Sequence, residues 1–201
     1  MRVNVVVATV VVAFALAATG CSNHGDTASA PGSTAAASKL FPDSFKGVCS
    51  GAGVAAATAF EASAKTHKAL LFQTYEDDLQ DQSHRLPAAW TVQFSPDKDA
   101  LTAIDVVICA KRTEAKLVKT CDGYKSDGKA TKNKVRWHTA TYRVSAHEAK
   151  TGKQLAAKTL DATDETCPMF QTFDGSNETV DGYSTLSDET LTEFAKPFAQ
   201  P

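Results

Sequence analysis

Five cysteines, at positions 21, 49, 109, 121 and 167, constrain this chain of 201 residues more than any other feature. Cys21 stands apart, because it closes a run in which residues 5–18 are apolar except for Thr9. With only Met1 and Arg2 as a positive start, that run has the length of a signal-peptide core and falls short of the ~20 residues that span a bilayer. Residues 1–20 therefore read as a signal for export. An exported chain meets an oxidising compartment in which thiols pair, and five cysteines leave one over. Setting Cys21 aside leaves Cys49, Cys109, Cys121 and Cys167, an even set for two disulfides.

Two fates of the junction compete. Residues 15–17, Ala-Leu-Ala, fit ordinary signal peptidase, which would release a soluble protein. Ala18-Thr19-Gly20-Cys21 resembles the lipobox of bacterial lipoproteins, although Ala18 stands where that family most often has Leu. The resemblance implies that the Cys21 thiol receives a diacylglycerol, that the chain is cut before it, and that the protein is held on the extracytoplasmic face of the cell membrane. Two or three acyl chains suffice for stable anchoring where one does not. The following residues 22–39 contain no large apolar side chain and read as a flexible tether behind the lipidated cysteine. Residues 40–201 are then one extracytoplasmic domain, long enough for a real core.

Strand signals dominate that domain. Residues 68–74 (KALLFQT) and 88–94 (AAWTVQF) are short, rich in β-branched or aromatic side chains and bounded by polar stretches. Residues 103–111 and 116–124 flank the polar run 112–115, a hairpin pattern, and a second hairpin turns at Thr151-Gly152, where glycine tolerates positive φ. The first hairpin, centred on Ala115, would set Cys109 opposite Cys121, within disulfide reach in an antiparallel pair, and leave Cys49 to Cys167. Residues 54–65 are Ala-rich and ambiguous. Near the C-terminus, Ser187 is an N-cap, Asp188 and Glu189 suit the first turn, and Leu191, Phe194 and Phe198 follow at i, i+3, i+7. Pro197 limits that helix to two or three turns.

The expected fold is mainly β: a single antiparallel sheet or β-sandwich-like domain with a short C-terminal helix and two disulfides. Residues 148–153, around Thr151-Gly152-Lys153, resemble the A-x-T-G-K turn of prealbumin-like and immunoglobulin-like sandwiches, which implies fold and not activity. Residues 49–60, with His67 and the strand holding Cys109, are similar to a pattern in exported proteins of actinomycete-type bacteria, which implies no particular activity.

Catalytic motifs are sparse. Residues 51–56 (GAGVAA) lack the preceding strand of a dinucleotide fingerprint and read as a turn beside a disulfide, so no cofactor is expected. His67, His84, His138 and His147 show neither H-x-H nor H-x-x-x-H spacing, and residues 174–182 (DGSNETVDG) lack the EF-hand order, so no metal is expected. Trp90, Trp137 and Tyr142 offer either an aromatic binding face or core.

Charge is uneven. The whole chain has a net −2, which points away from nucleic acid, yet residues 111–136 hold nine Lys or Arg against three acids, and residues 161–195 hold nine acids and no base. Lys125, Lys129, Lys132 and Lys134 are the candidate contacts for an anionic envelope polymer, a lipid head group, or the chain's own acidic segment. Alternating lysines also keep a strand edge soluble. The functional expectation is a membrane-anchored, non-catalytic binding or envelope-structural module. The alternative is a hydrolase whose site draws together His67, His138 and a C-terminal acid.

Overall fold

A computed structural model describes residues 39–95 and 99–200; the expected signal segment, Cys21 and the expected tether up to residue 38 lie outside them. Described residues belong to one compact unit, Ala37–Pro201. Its strands are β1 (Ala69–Tyr75), β2 (Asp78–Asp81), β3 (Val106–Cys121), β4 (Lys125–Ser126), β5 (Lys129–Ala130), β6 (Lys134–Glu148), β7 (Gln154–Ala162) and β8 (Thr179–Tyr183), followed by helix α1 (Asp188–Ala199). The main sheet runs β2-β1-β3-β6-β7, with β8 also beside β6. It is mixed and not the single antiparallel sheet that the hairpin signals imply: β1–β3 and β6–β8 are parallel, because the long stretches between them let the chain return in the same direction, and the other ladders are antiparallel. The mainly-β class, the short C-terminal helix and two disulfides are all present.

The sheet is covered on both faces at one end. Ala69, Leu71, Val106, Ile108, Tyr142 and Val144 pack with Leu191, Ala195 and Ala199 of α1. The alternate residues Leu70, Phe72, Val107 and Cys109 pack with Phe45, Val48 and Cys49 of a 3₁₀ helix at Pro42–Ser50. Because both faces are buried, Val106 to Ala110 are five consecutive buried residues instead of an alternating set.

The polar run 112–115 is no turn: β3 passes straight through it, with register shifts only between Arg112 and Glu114 and between Leu117 and Lys119. Those residues are polar because this part of β3 is exposed, and they contain no Gly or Pro to reverse the chain. The reversal comes after Cys121, where Gly123, Asp127 and Gly128 all have positive φ and Asp127-Gly128 closes the small β4–β5 hairpin.

The disulfide pairing changes with it. Cys49 is bonded to Cys109 and Cys121 to Cys167, with Cα separations of 5.6 and 5.8 Å. Cys109 cannot meet Cys121, because both lie on the same strand, twelve residues and roughly 35–40 Å apart at ~3.3 Å per residue.

Residues 88–94 are not a strand either; after Pro87 they form one 3₁₀ turn, Ala88–Trp90, that drops Trp90 into the core. Residues 54–65 form turns and no helix. The β6–β7 turn is as expected, with Gly152 at φ 74°. At α1, Ser187 accepts from the Thr190 amide, and the helix extends past Pro197 to Ala199. The carbonyl that Pro197 leaves unbonded belongs to exposed Glu193, where water can take it.

Candidate ligand-binding site

Beyond the doubly covered end, the sheet narrows to β3, β6 and β8, and two connections close its tip. Residues 122–133 join β3 to β6, and residues 163–178 join β7 to β8. Neither connection has a core to fold around, so each is fixed by specific bonds. Cys121–Cys167 ties the connections together at one side. Next to it, the Tyr124 hydroxyl donates to the Pro168 carbonyl (3.1 Å), and the Tyr124 and Phe173 rings meet at 5.2 Å and 60°. At the other side, buried Asn133 accepts from the Glu178 amide (2.8 Å), and the Lys132 amide donates to the Ser176 carbonyl (2.9 Å). Burial pushes the Tyr124 phenol above its ordinary pKa, so it stays a neutral donor.

Between the connections lies an open cavity of about 1050 Å³. Its wall combines aromatic and polar groups, among them Tyr75, Tyr124, Phe173, Asp122, Lys125 and Asp174. Met169 and Phe170 stand on its rim, 84% and 87% exposed, which places two large apolar side chains in solvent beside the opening. Tyr75, at the end of β1 and half exposed, also lines a smaller recess of about 370 Å³ with His84, Arg85 and Asp188.

The four singled-out lysines surround this tip. Lys125 is in the cavity wall, Lys129 is on the other strand of the β4–β5 hairpin, opposite Ser126, and Lys132 and Lys134 lead into β6. All four are exposed, and none forms an ion pair among the described residues. The acidic C-terminal segment does reach the basic stretch, two positions past Lys134. Asp181 of β8 bonds Arg136 (2.5 Å) and His138 (2.8 Å). Partial burial pushes the Asp181 carboxyl up, but the hydrogen bonds and charges of Arg136 and His138 outweigh it and hold the group below its ordinary value.

The histidines are not drawn together. His67 is buried at the head of β1, with Nδ1 at 2.6 Å from Asp105, its ring stacked on Phe60 and its Nε2 without a partner. His138 pairs with Leu117, far down β3 from Asp105 at that strand's start, so roughly 35–40 Å of sheet separates the two histidines. His138 does meet a C-terminal acid, and its ring lies 5.0 Å from Tyr183, over which Arg112 is placed. Neither cavity is lined by His67, His138 or Asp181. His147 bonds Ser145 and the Gly152 carbonyl inside the fold. Among the described residues no group of three His, Cys, Asp or Glu could hold a metal ion.

The remaining motifs serve packing. A Cβ on Gly53 would stand 2.3 Å from the Lys150 carbonyl oxygen, and one on Gly152 would stand 2.2 Å from that of Gly51. The glycines of the GAGVAA stretch thus let its turn press against the β6–β7 turn. Trp90 and Tyr142 are core, whereas Trp137 lies over Gly182 and donates its indole N–H to the Asp164 carbonyl (2.9 Å).

Tyr75, Tyr124, Phe173 and the Met169-Phe170 pair escaped the sequence reading. Two signals marked them: Asp127-Gly128 as a hairpin dipeptide, and aromatic residues within a Pro- and Gly-punctuated segment that has no strand pattern. Comparison with family models, curated proteins and solved structures found no match to this chain.

Proposed function

We propose that this chain is an exported, lipid-anchored module on the extracytoplasmic face of a bacterial membrane, and that it binds an anionic envelope polymer, without catalysis, in the cavity between the two stapled connections. The observation that supports the binding reading is the construction of that cavity. A disulfide, an aromatic pair and several side chain–backbone bonds hold open a volume of the size small-molecule and polymer-segment sites use. Its wall has no histidine, and no wall hydroxyl is hydrogen-bonded to a base, so it offers surfaces for holding a ligand and not a nucleophile. Lys125 in the wall and exposed Lys129, Lys132 and Lys134 around it outnumber the wall carboxylates Asp122 and Asp174 and supply the attraction for an anionic chain. The two disulfides suit the oxidising compartment that the signal segment implies.

Two measurements test this. The detergent-extracted full chain should be retained on anionic envelope material. Retention should fall when the four lysines become Gln, and also when added salt shortens screening to below ~8 Å. Retention unchanged by both treatments rules out the anionic partner. For the anchor, Cys21→Ala should shift the protein from the membrane fraction to the medium or to unprocessed precursor. An unmodified mature N-terminus starting before Cys21, seen by mass spectrometry, makes it a secreted protein instead.

A further inference from the structure

We infer that the ligand of the loop cavity is a glycan, whose sugar rings stack on Tyr75 and Tyr124 and whose hydroxyls bond Asp122, Asp174 and Lys125. This rests on the cavity being the binding site, and adds the chemical class of what enters it. A pyranose presents apolar C–H faces and a polar rim of hydroxyls, each both donor and acceptor. It therefore fits a wall that combines flat aromatic rings with two carboxylates and an amine. Tyr75 presents its ring half exposed at the junction of the two cavities, so it can serve as a platform for successive units. The Tyr124 ring is held before any ligand arrives, by its hydroxyl bond to Pro168 and its contact with Phe173, and little ordering entropy is lost on stacking.

The polar groups complete the match. The Asp122 and Asp174 carboxylates and the Lys125 ammonium have no side-chain partner among the described residues, which leaves acceptors and donors free for hydroxyls. An acyl chain is disfavoured by the same wall, because entering it would strip water from both carboxylates without replacing their hydrogen bonds. An extended peptide would want a row of unpaired backbone groups. Among the described residues no strand lines the cavity except the two-residue β4 and Tyr75 at the end of β1, and the outer edge of β3 that has such a row is broken by two register shifts and guarded by Lys116 and Lys119.

The test uses the detergent-extracted full chain on an array bearing oligosaccharides of neutral hexoses, of N-acetylhexosamines and of uronic acids, beside envelope material before and after protease digestion. At least one oligosaccharide should bind, and Tyr75→Ala should weaken it about tenfold while far-ultraviolet circular dichroism and both disulfides stay as in the wild type. Asp174→Asn, a milder change, should weaken the same glycan, and Lys125→Gln should weaken uronic-acid probes more than neutral ones. If the array stays blank while envelope retention persists and is destroyed by protease, the ligand is a protein. The glycan class then falls and the binding site stands. A blank array with no envelope retention removes both readings.

Discussion

The two ends of the sheet are built on different physics. At the α1 end, β1, the start of β3 and the end of β6 are covered on both faces, and Phe45, Leu71, Phe72, Ile108, Val144 and Leu191 are completely inaccessible. At the other end, the outer edge of β3 beyond Ala110 has no strand beside it among the described residues, and its side chains from Thr113 to Leu117 are exposed. Burial of apolar surface holds the first region, at about 25 cal/mol per Å². The second has too little apolar surface for that, so a disulfide, ring contacts and polar bonds define its shape. The difference explains where a ligand site can be. Surface that the core does not consume is left free to face a partner, and the staple restores the rigidity that burial would have supplied.

The contrast predicts its own largest effect. Phe72→Ala, in the layer between the sheet and the 3₁₀ helix, should cost about 3–5 kcal/mol of global stability. Leu117→Ala, on an apolar residue of the same sheet that is 51% exposed, should cost under about 0.5 kcal/mol. Denaturant unfolding of both variants measures the two numbers together. Comparable losses would show that the exposed end is as much a part of the core as the covered end.

The disulfides sharpen it next. They close loops of similar size, 60 and 46 residues apart in sequence, and the chain-entropy model assigns each about 4 kcal/mol. Their consequences should nevertheless differ. Replacing Cys49 and Cys109 with Ala loosens the 3₁₀ layer from the sheet and should lower the global midpoint. Replacing Cys121 and Cys167 with Ser should mainly free residues 122–133 and 163–178. Hydrogen exchange should then speed up at those amides by far more than at β1, and array binding should fall with it. Equal acceleration throughout the molecule would mean that the tip and the core unfold as one unit.

What was legible in the sequence divides along the same line. The strands of the covered end announce themselves because five buried residues in a row, or β-branched alternation, have few other readings; β1 and the start of β3 were found this way. The α1 cap was legible at Ser187 because capping is local chemistry. The pairing of the cysteines was not legible, since it depends on whether residues 112–115 turn, and polar residues without Gly or Pro serve an exposed strand as well as a turn. Asp127-Gly128, the stronger turn signal, lay fifteen residues past Arg112 and decides the matter. The cavity was hidden for a further reason. Its wall is drawn from three places in the chain, near residues 75, 122–133 and 167–176, that only the folded sheet and the Cys121–Cys167 bond bring together.

The smallest expected effect is on the acid side of the pH range, and it too should separate the ends. Asp181 binds β8 to Arg136 and His138 of β6, and its carboxyl is held below the ordinary value by those partners in spite of partial burial. Its folded-state pKa is therefore depressed relative to the unfolded chain. The bond's contribution is complete above the unfolded value of about 3.9 and is lost as pH falls through the lower folded value. With about a third of the Asp181 side chain in water, the contribution should not exceed about 1 kcal/mol. Protection of the β8 amides from exchange should thus fall on going from about pH 5 to below pH 3, while that of β1 changes less. Asp181→Asn should lose that added β8 sensitivity, leaving β8 similarly protected at both pH values. If β8 in the variant still responds to acid as the wild type does, other groups at the tip bear the proton dependence, and Asp181 is a spectator on a strand held by its backbone ladder.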